Sequence, residues 1–554
     1  MLKNFFLVVF CFIFLVLGCS ESKMDRDEEN NKVYLPKKEQ KHIPVTPEFG
    51  GRIILGISGE PSNLIPPLAT DSASHEVADL IYVAPLKYDK NIQLKPWAAQ
   101  EFKVLEQGKK LYFKLRPGIK WFDGYELTAE DVYFTYRLMI DPKTPTAYAE
   151  DYKAIKEFRL IDKYAFEVVY DKPFARSLVT WANSILPKHI LEKEDLLKTR
   201  YSREPMGAGP FRLAAWEPGR KLVLKANEDY FEGRPYLDEV VYRIIPDSAT
   251  MLLELKALNL DMMGLTPQQF LFQTKGRFWE NNFKKYKYLS FSYTYLGYNL
   301  EHPLFKDVKV RQALAHAINK EEIVKGVLLG QGVPTIGPYK PGTWVYNDKI
   351  KDYVFDQALA RKMLAEEGWT DHDGDGIIDK NGRPFSFTIL TNQGNDLRVK
   401  AATIIQQRLK QVGIKVKIRT VEWATFIQEF VHKRRFEALI LGWNIVQDPD
   451  IYDVWHSSRT ASGGLNFIGY KNKEVDELLE KGRRTFDQEK RKAIYDRLQE
   501  ILHRDQPYCF LYVPMSLPIV HRCFQGVEAA PAGITHNFIR WWVPKPSATT
   551  TILN

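Results

Sequence analysis

Between residues 385 and 443 the hydrophobic period of the chain switches repeatedly, and this stretch narrows the fold more than any other. Phe385, Phe387 and Ile389 alternate with polar residues, which predicts a strand ending at Thr391-Asn392-Gln393-Gly394. Val399, Ala402, Ile405, Leu409 and Val412 then recur at helical spacing, and Gly413 supplies a C-terminal stop. Ile414, Val416 and Ile418 alternate with Lys and Arg as a second strand. Residues 423–432 read as a helix and 436–442 as an apolar strand. A β-α-β-α-β order implies a parallel sheet with right-handed crossovers, hence an α/β fold. Ligands of such sheets bind outside the carboxyl ends of the strands. Asn392-Gln393 and Trp443-Asn444 occupy those ends and point toward one crevice.

The start of the chain constrains its compartment. Lys3 precedes an apolar run over residues 5–17 that closes on Val16-Leu17-Gly18-Cys19. A bilayer span needs about 20 apolar residues, so the run fits the h-region of a secretory signal instead. Gly18-Cys19 resembles a bacterial lipobox, with Val16 where leucine is more usual. The resemblance implies that residues 1–18 are removed and that Cys19 becomes the lipidated N-terminus. The bland alternative is an ordinary signal peptide or a buried helix with a chance cysteine. Residues 19–46 are polar and lack apolar periodicity, as a solvated tether would. Ser20, rather than an aspartate, follows the cysteine, as in lipoproteins not held back at an inner membrane. The expectation is an extracytoplasmic protein held to a membrane by lipid, facing the periplasm if the source has two membranes.

The remaining chain, about 500 residues, exceeds what one core covers, so two or three lobes are expected. Earlier segments are strand-rich. Residues 111–115 alternate before Arg116-Pro117-Gly118, and Phe166, Val168 and Tyr170 alternate before Asp171-Lys172-Pro173. Thr128 precedes Glu130 and Asp131 as a helix cap, and residues 308–318 read as a further helix. The net charge of +9 is spread without a long basic block, and no nucleic-acid motif accompanies it. Of four cysteines, Cys11 leaves with the signal and Cys19 carries lipid. Cys509 and Cys523 flank two apolar runs around Ser516. If those runs form a hairpin, the two thiols face each other within disulfide reach. The alternative is two free thiols on diverging strands.

Several motifs, taken in order, resemble the solute-binding proteins of ABC importers in the peptide- and nickel-binding family, family 5. They are Glu60-Pro61-Ser62-Asn63-Leu64-Ile65-Pro66, Leu115-Arg116-Pro117-Gly118-Ile119-Lys120-Trp121-Phe122-Asp123-Gly124 and Leu127-Thr128-Ala129-Glu130-Asp131-Val132. Gly207-Ala208-Gly209-Pro210-Phe211, Gly297-Tyr298-Asn299-Leu300, Val310-Arg311-Gln312-Ala313-Leu314 and Gly442-Trp443 with Asp448-Pro449-Asp450 follow. The resemblance implies a periplasmic-binding-protein-like fold of the cluster C type, two α/β lobes around a ligand cleft plus an extra domain. Lobe I would combine residues 47–85, 205–292 and 520–554, the extra domain 86–204, and lobe II 293–519. Crossings near 292–298 and 511–518 would form the hinge. A monomeric receptor that binds oligopeptides and delivers them to the transmembrane subunits of an ABC permease is the leading expectation. Another solute on the same scaffold (a nickel chelate, haem, an opine or an oligosaccharide) is the runner-up, and a sensory or adhesive lipoprotein is the alternative of another class.

The resemblance places ligand contacts at Gly442, Trp443 and Asn444, with Asn392 across the crevice. Relatives often pair a peptide's α-ammonium with an aspartate a few residues after Gly-Trp. Here Asn444-Ile445-Val446-Gln447 intervenes before Asp448, and no acid occupies the usual place. Asp448 or Asp450 could supply the charge; otherwise Asp448-Pro449-Asp450 is a turn capping the next helix. Tyr298-Asn299 is expected to build the hinge rather than touch ligand.

Asp371, Asp373, Asp375, Ile377 and Asp379, with Gly376 at the sixth position, follow the front of an EF-hand loop. Position 12 is Gly382 instead of a bidentate glutamate, and Asp/Gly turns are expected between a helix and a strand anyway. The loop is thus either a structural Ca²⁺ site or a simple turn, and no other cofactor is expected. There is no Gly-x-Ser-x-Gly elbow, no His-Glu-x-x-His and no phosphate-binding Gly-Lys-Ser/Thr loop. His432, His456 and His503 show no ligand spacing, so an enzyme is not expected.

Overall fold

The computed structural model describes residues 46–69, 71–146, 149–445, 448–461 and 464–544. Cys19, the signal and nearly all of the tether lie outside the described residues. No helix among the described residues is long and apolar enough to cross a membrane.

The alternating stretch that opens the argument forms a sheet as its periodicity requires. Ser386–Asn392, Lys415–Val421 and Ala438–Asn444 are strands, and Asp396–Lys410 is the helix between the first two. Ser386–Asn392 lies in the middle, parallel to both of the others. The sheet then continues antiparallel through Ser292–Tyr298 to Tyr508–Ser516. Alternate residues of these strands enter two separate cores. Leu296, Ile389 and Ile440 pack with Ala402 and Ile405 of the helix on one face. Tyr295, Leu390, Leu439 and Leu441 pack with Phe426 and Val431 on the other. The two crossover segments therefore cover opposite faces, as right-handed connections to either side of a central strand demand. The segment expected as a plain helix over 423–432 is helical, but Phe426–Val431 takes the wider π-turn.

A second sheet orders its strands Phe283–Lys285, Pro518–His521, Met262–Gly264, Arg52–Ile57, Glu239–Ile244, Lys221–Ala226 and Phe211–Glu217. Two passages join the sheets. One runs between Lys285 and Tyr288, where the short strand Tyr288–Leu289 already pairs with Tyr508–Ser516, and the other passes through Leu517 alone. The first lies earlier than the expected crossing at 292–298, because those residues are already a fully paired strand. The second corrects the cysteine expectation. Tyr508–Ser516 and Pro518–His521 are consecutive but belong to different sheets, so they form no hairpin. Cys509 sits in the core beneath the first sheet and Cys523 against the core of the other, and both are free thiols. Burial pushes the Cys509 thiol up to about 11, which makes it inert.

A four-stranded antiparallel sheet, Ala99–Leu105, Lys110–Leu115, Ala165–Tyr170 and Ile155–Leu160, builds a third core around Trp121, Phe113 and Phe166. Thr128 caps the Ala129–Ile140 helix in a reciprocal box with Asp131. Two motif segments are explained by packing. A Cβ on Gly207 or Gly209 would collide with the backbone at Ile81, and the Gly209 N–H donates to the Ile81 carbonyl at 2.8 Å. These glycines thus seat the carboxyl end of the Ser72–Ile81 helix. Arg311 is buried and donates to the carbonyls of Phe305, Asp505 and Gln506, locking its helix to the end of Gln488–Asp505.

Candidate ligand-binding cleft

The pairing of Ser386–Asn392 with Ala438–Asn444 stops early. The parallel register covers only Ile389 with Ala438 and Leu390 with Leu439. Beyond it, Thr391 Oγ1 donates to the Ile440 carbonyl at 3.2 Å, and then the strands part. The opposite side of the same strand is fully paired, out to Ser292 with Asn444 and the Ile445 N–H on the Phe291 carbonyl at 2.8 Å. Residues 441–444 consequently present one backbone edge without a ladder partner among the described residues. This edge lies where the sheet's connections diverge, the place at which open α/β sheets bind ligands.

Side chains around the edge are positioned by both strands. Asn392 accepts from Arg398 Nη1 at 2.8 Å, so it orients a guanidinium and does not stand free. A Cβ on Gly442 would come within 3.0 Å of the Tyr293 carbonyl and 3.1 Å of Arg398 Nη2, so a side chain there would crowd both. No carboxylate pairs with Arg398 among the described residues, and burial draws its pKa below the ordinary value. Trp443 is half-buried, stacks on Phe467 with centroids 6.0 Å apart, and donates from Nε1 to the Tyr508 hydroxyl at 3.4 Å. Asn444 lines a cavity of about 830 Å³. Ile445 and Asp448 line another of about 900 Å³, opposite residues 88–94 and 529–531. The strand end thus sits between two cavities of the size that small organic ligands occupy.

Asp448 and Asp450 are engaged elsewhere. Asp448 forms a two-pronged pair with Arg491, both contacts 2.8 Å. Asp450, whose side chain is fully buried, pairs with Arg483 at 2.7 Å and faces Arg176 at 3.8 Å. Asp448 Oδ1 also accepts from the Asp450 N–H, and Asp450 Oδ1 from the Tyr452 N–H, the turn expected as the alternative. The expected ammonium contact would compete with these pairs. Breaking one leaves a buried charge uncompensated, a cost of about 3–5 kcal/mol.

Lys340 belongs to the second cavity and escaped the sequence reading. It is only 6% exposed, its Nζ lies 3.7 Å from the Phe291 ring centroid, and its one ammonium hydrogen bond among the described residues is to the Pro531 carbonyl at 3.4 Å. Desolvation lowers it to about 8. The one signal available was a lysine inside the Pro/Gly-rich loop Gly337-Pro338-Tyr339-Lys340-Pro341-Gly342. Arg398 carried none, since a basic residue in a helix's first turn reads as surface.

The acidic loop is remote from these cavities. Asp371, Asp373 and Asp375 bring oxygens within 4.8 Å of one another, all exposed. Each also accepts from loop amides: Gly374 and Gly376 on Asp371, Asp375 on Asp373, and Ile377 on Asp375. Asp379 turns to His372, 3.1 Å away, and Gly382 brings no carboxylate. The three acids are grouped closely enough to share a cation, and the loop amides cap them as they would in a turn.

Residues 93–464 match the model of the bacterial extracellular solute-binding proteins, family 5. The chain belongs to that family. It is 36% identical over 509 residues to the oligopeptide-binding protein AppA of Bacillus subtilis, covering 90% of this chain and 93% of the relative. The solved structure of that AppA with a nonapeptide superposes with a TM-score of 0.79, covering 90% of this chain and all of the other at 35% identity. NikZ from Campylobacter jejuni in complex with Ni(L-His) also superposes at 0.79, with 26% identity and 89% and 99% coverage. The chain is therefore a solute-binding protein of two α/β lobes with an extra domain, as the ordered motifs imply.

Proposed function

We propose that this family 5 protein captures oligopeptides in the crevice at the end of the Ala438–Asn444 strand and delivers them to an ABC permease. The observation that carries the reading is the unpaired backbone edge at 441–444. An extended peptide satisfies such an edge by strand addition, which is blind to side-chain identity. Asn444, Arg398 and the two flanking cavities supply polar contacts and room for side chains. The similarity to AppA supports a peptide over other solutes. Lipidation at Cys19 would hold the receptor at the membrane outside the cytoplasm, as a monomer on a flexible tether. The lobes would close on ligand and favour the population a permease recognises. The reading calls for no cofactor.

Calorimetry with one nonapeptide, free and N-acetylated, tests it. Because Asp448 and Asp450 are engaged by arginines, acetylation is expected to cost less than tenfold in affinity. Loss of binding on acetylation would mean that one of these acids leaves its arginine for the ammonium. Binding of a nickel–histidine chelate with no peptide bound would overturn the peptide assignment.

A further inference from the structure

The Ser72–Ile81 helix turns His75, Glu76, Asp79 and Leu80 toward the cavity that Asn444 shares. Most acids around this cavity are spoken for. Asp71 caps the helix, accepting from the Ser74 N–H at 2.8 Å and from the Ser62 and Ser74 hydroxyls. Glu232 is held by Lys87 at 2.7 Å and by the Tyr230 hydroxyl at 3.0 Å. Glu76 and Asp79 differ: no hydrogen bond or ion pair reaches either carboxylate among the described residues.

Tyr242 on the facing sheet is the independent observation. It is only 2% exposed, it lines the same cavity, and its hydroxyl makes no hydrogen bond among the described residues. Its ring is buried while its hydroxyl opens on the cavity, where a ligand can reach it. Burial drives its pKa well above the usual value, and the Glu76 and Asp79 carboxylates add to the rise. The enclosing cavity wall desolvates Asp79 and pushes it up to about 6 against the pull of His75, and with the Asp79 charge it raises Glu76, while both side chains stay open to the cleft. The two carboxylates stand open to the cleft on one helix face, with the phenol facing them across the cavity. A cation arriving with the ligand would meet two carboxylates that no hydrogen bond or ion pair occupies among the described residues.

We propose that this cavity is a side pocket of the peptide cleft that takes a lysine or arginine side chain of the bound peptide, its charged head between Asp79 and Glu76. The inference rests on the peptide reading above. Asn444 connects the pocket to the free strand edge, so a peptide docked there can send one side chain inward. Leu55, Leu80, Phe538 and Ile539 provide the apolar wall that an aliphatic stem requires. The Tyr242 hydroxyl, without a partner among the described residues, is available to the same head group.

The test is a set of alanine/serine nonapeptides in which each position in turn carries lysine or norleucine, titrated into the purified protein by calorimetry. At one position lysine should bind at least tenfold tighter than norleucine. The Asp79→Asn, Glu76→Gln double variant should lose that preference while keeping norleucine affinity within twofold, which also shows that it folds. Lowering the pH from 7 to 5 should shrink the preference as Asp79 takes up a proton. His75, His536, the Glu232–Lys87 pair and the capped Asp71 face the same cavity and are common to every peptide compared. Equal binding of lysine and norleucine at every position, or a preference surviving in the double variant, overturns the inference and leaves the peptide reading standing. Failure of every peptide to bind overturns both.

Discussion

At the scale of single residues, the cleft is governed by charges that lack their opposites. Lys340 is the clearest case, a buried ammonium with one long hydrogen bond and an aromatic face for company. Its folded pKa, about 8, lies below the ordinary 10.5 of a lysine, so folding disfavours the charged form. The penalty is fully present below pH 8, shrinks as pH rises, and vanishes once the unfolded chain has also lost the proton. Lys340→Met should therefore melt higher than the parent at pH 7, with the difference narrowing toward pH 10. An unchanged or lower melting temperature at pH 7 would show that the ammonium is better satisfied than its contacts indicate. Arg398 is the counterpart at the strand edge. Neither was legible in the sequence, because an unpaired charge is defined by what surrounds it and not by its neighbours in the chain. The opposite holds for Asp448-Pro449-Asp450. Its acids invite a role in ligand binding on paper, yet Arg491, Arg483 and Arg176 come from distant segments and neutralise them.

At the scale of elements, periodicity was a good guide and pairing was not. The strands over 386–392, 415–421 and 438–444 and the helix at 396–410 follow directly from alternation and 3.6-residue spacing. The failed hairpin at Ser516 shows the limit: two adjacent apolar runs specify two strands but not that they share a sheet. The useful part of the site, the unpaired edge at 441–444, likewise depends on where a neighbouring strand diverges. Trp443 stands on that edge with its indole packed on Phe467 and Tyr508. Trp443→Ala removes an aromatic anchor, commonly worth about 2 kcal/mol or more at a binding hot spot, roughly thirtyfold in affinity. Calorimetry should show peptide binding weakened at least tenfold, with circular dichroism unchanged. Undiminished affinity would place the ligand away from this strand. The acidic loop gives a contrasting expectation. EGTA should leave peptide affinity unchanged, because the loop is remote from both cavities; any Ca²⁺-dependent rise in melting temperature should vanish in Asp373→Ala. Loss of peptide binding in EGTA would connect the loop to the cleft.

At the scale of the whole molecule, the two large sheets, the four-stranded sheet and the two passages between sheets agree with the family's two lobes and extra domain. That architecture was legible because the motifs are largely architectural. Gly207 and Gly209 seat a helix and Arg311 ties two helices together, and Asn299 holds the Phe436 carbonyl at 3.0 Å. Ligand identity left no comparable trace, since a peptide held by its backbone asks little of side chains. The most direct test of the central claim is mass spectrometry of small molecules released by denaturing the protein purified without added ligand. The account predicts a mixture of peptides varied in sequence and depleted by Trp443→Ala. A single non-peptide species, such as a metal chelate, haem or a sugar, retained at full occupancy would contradict it.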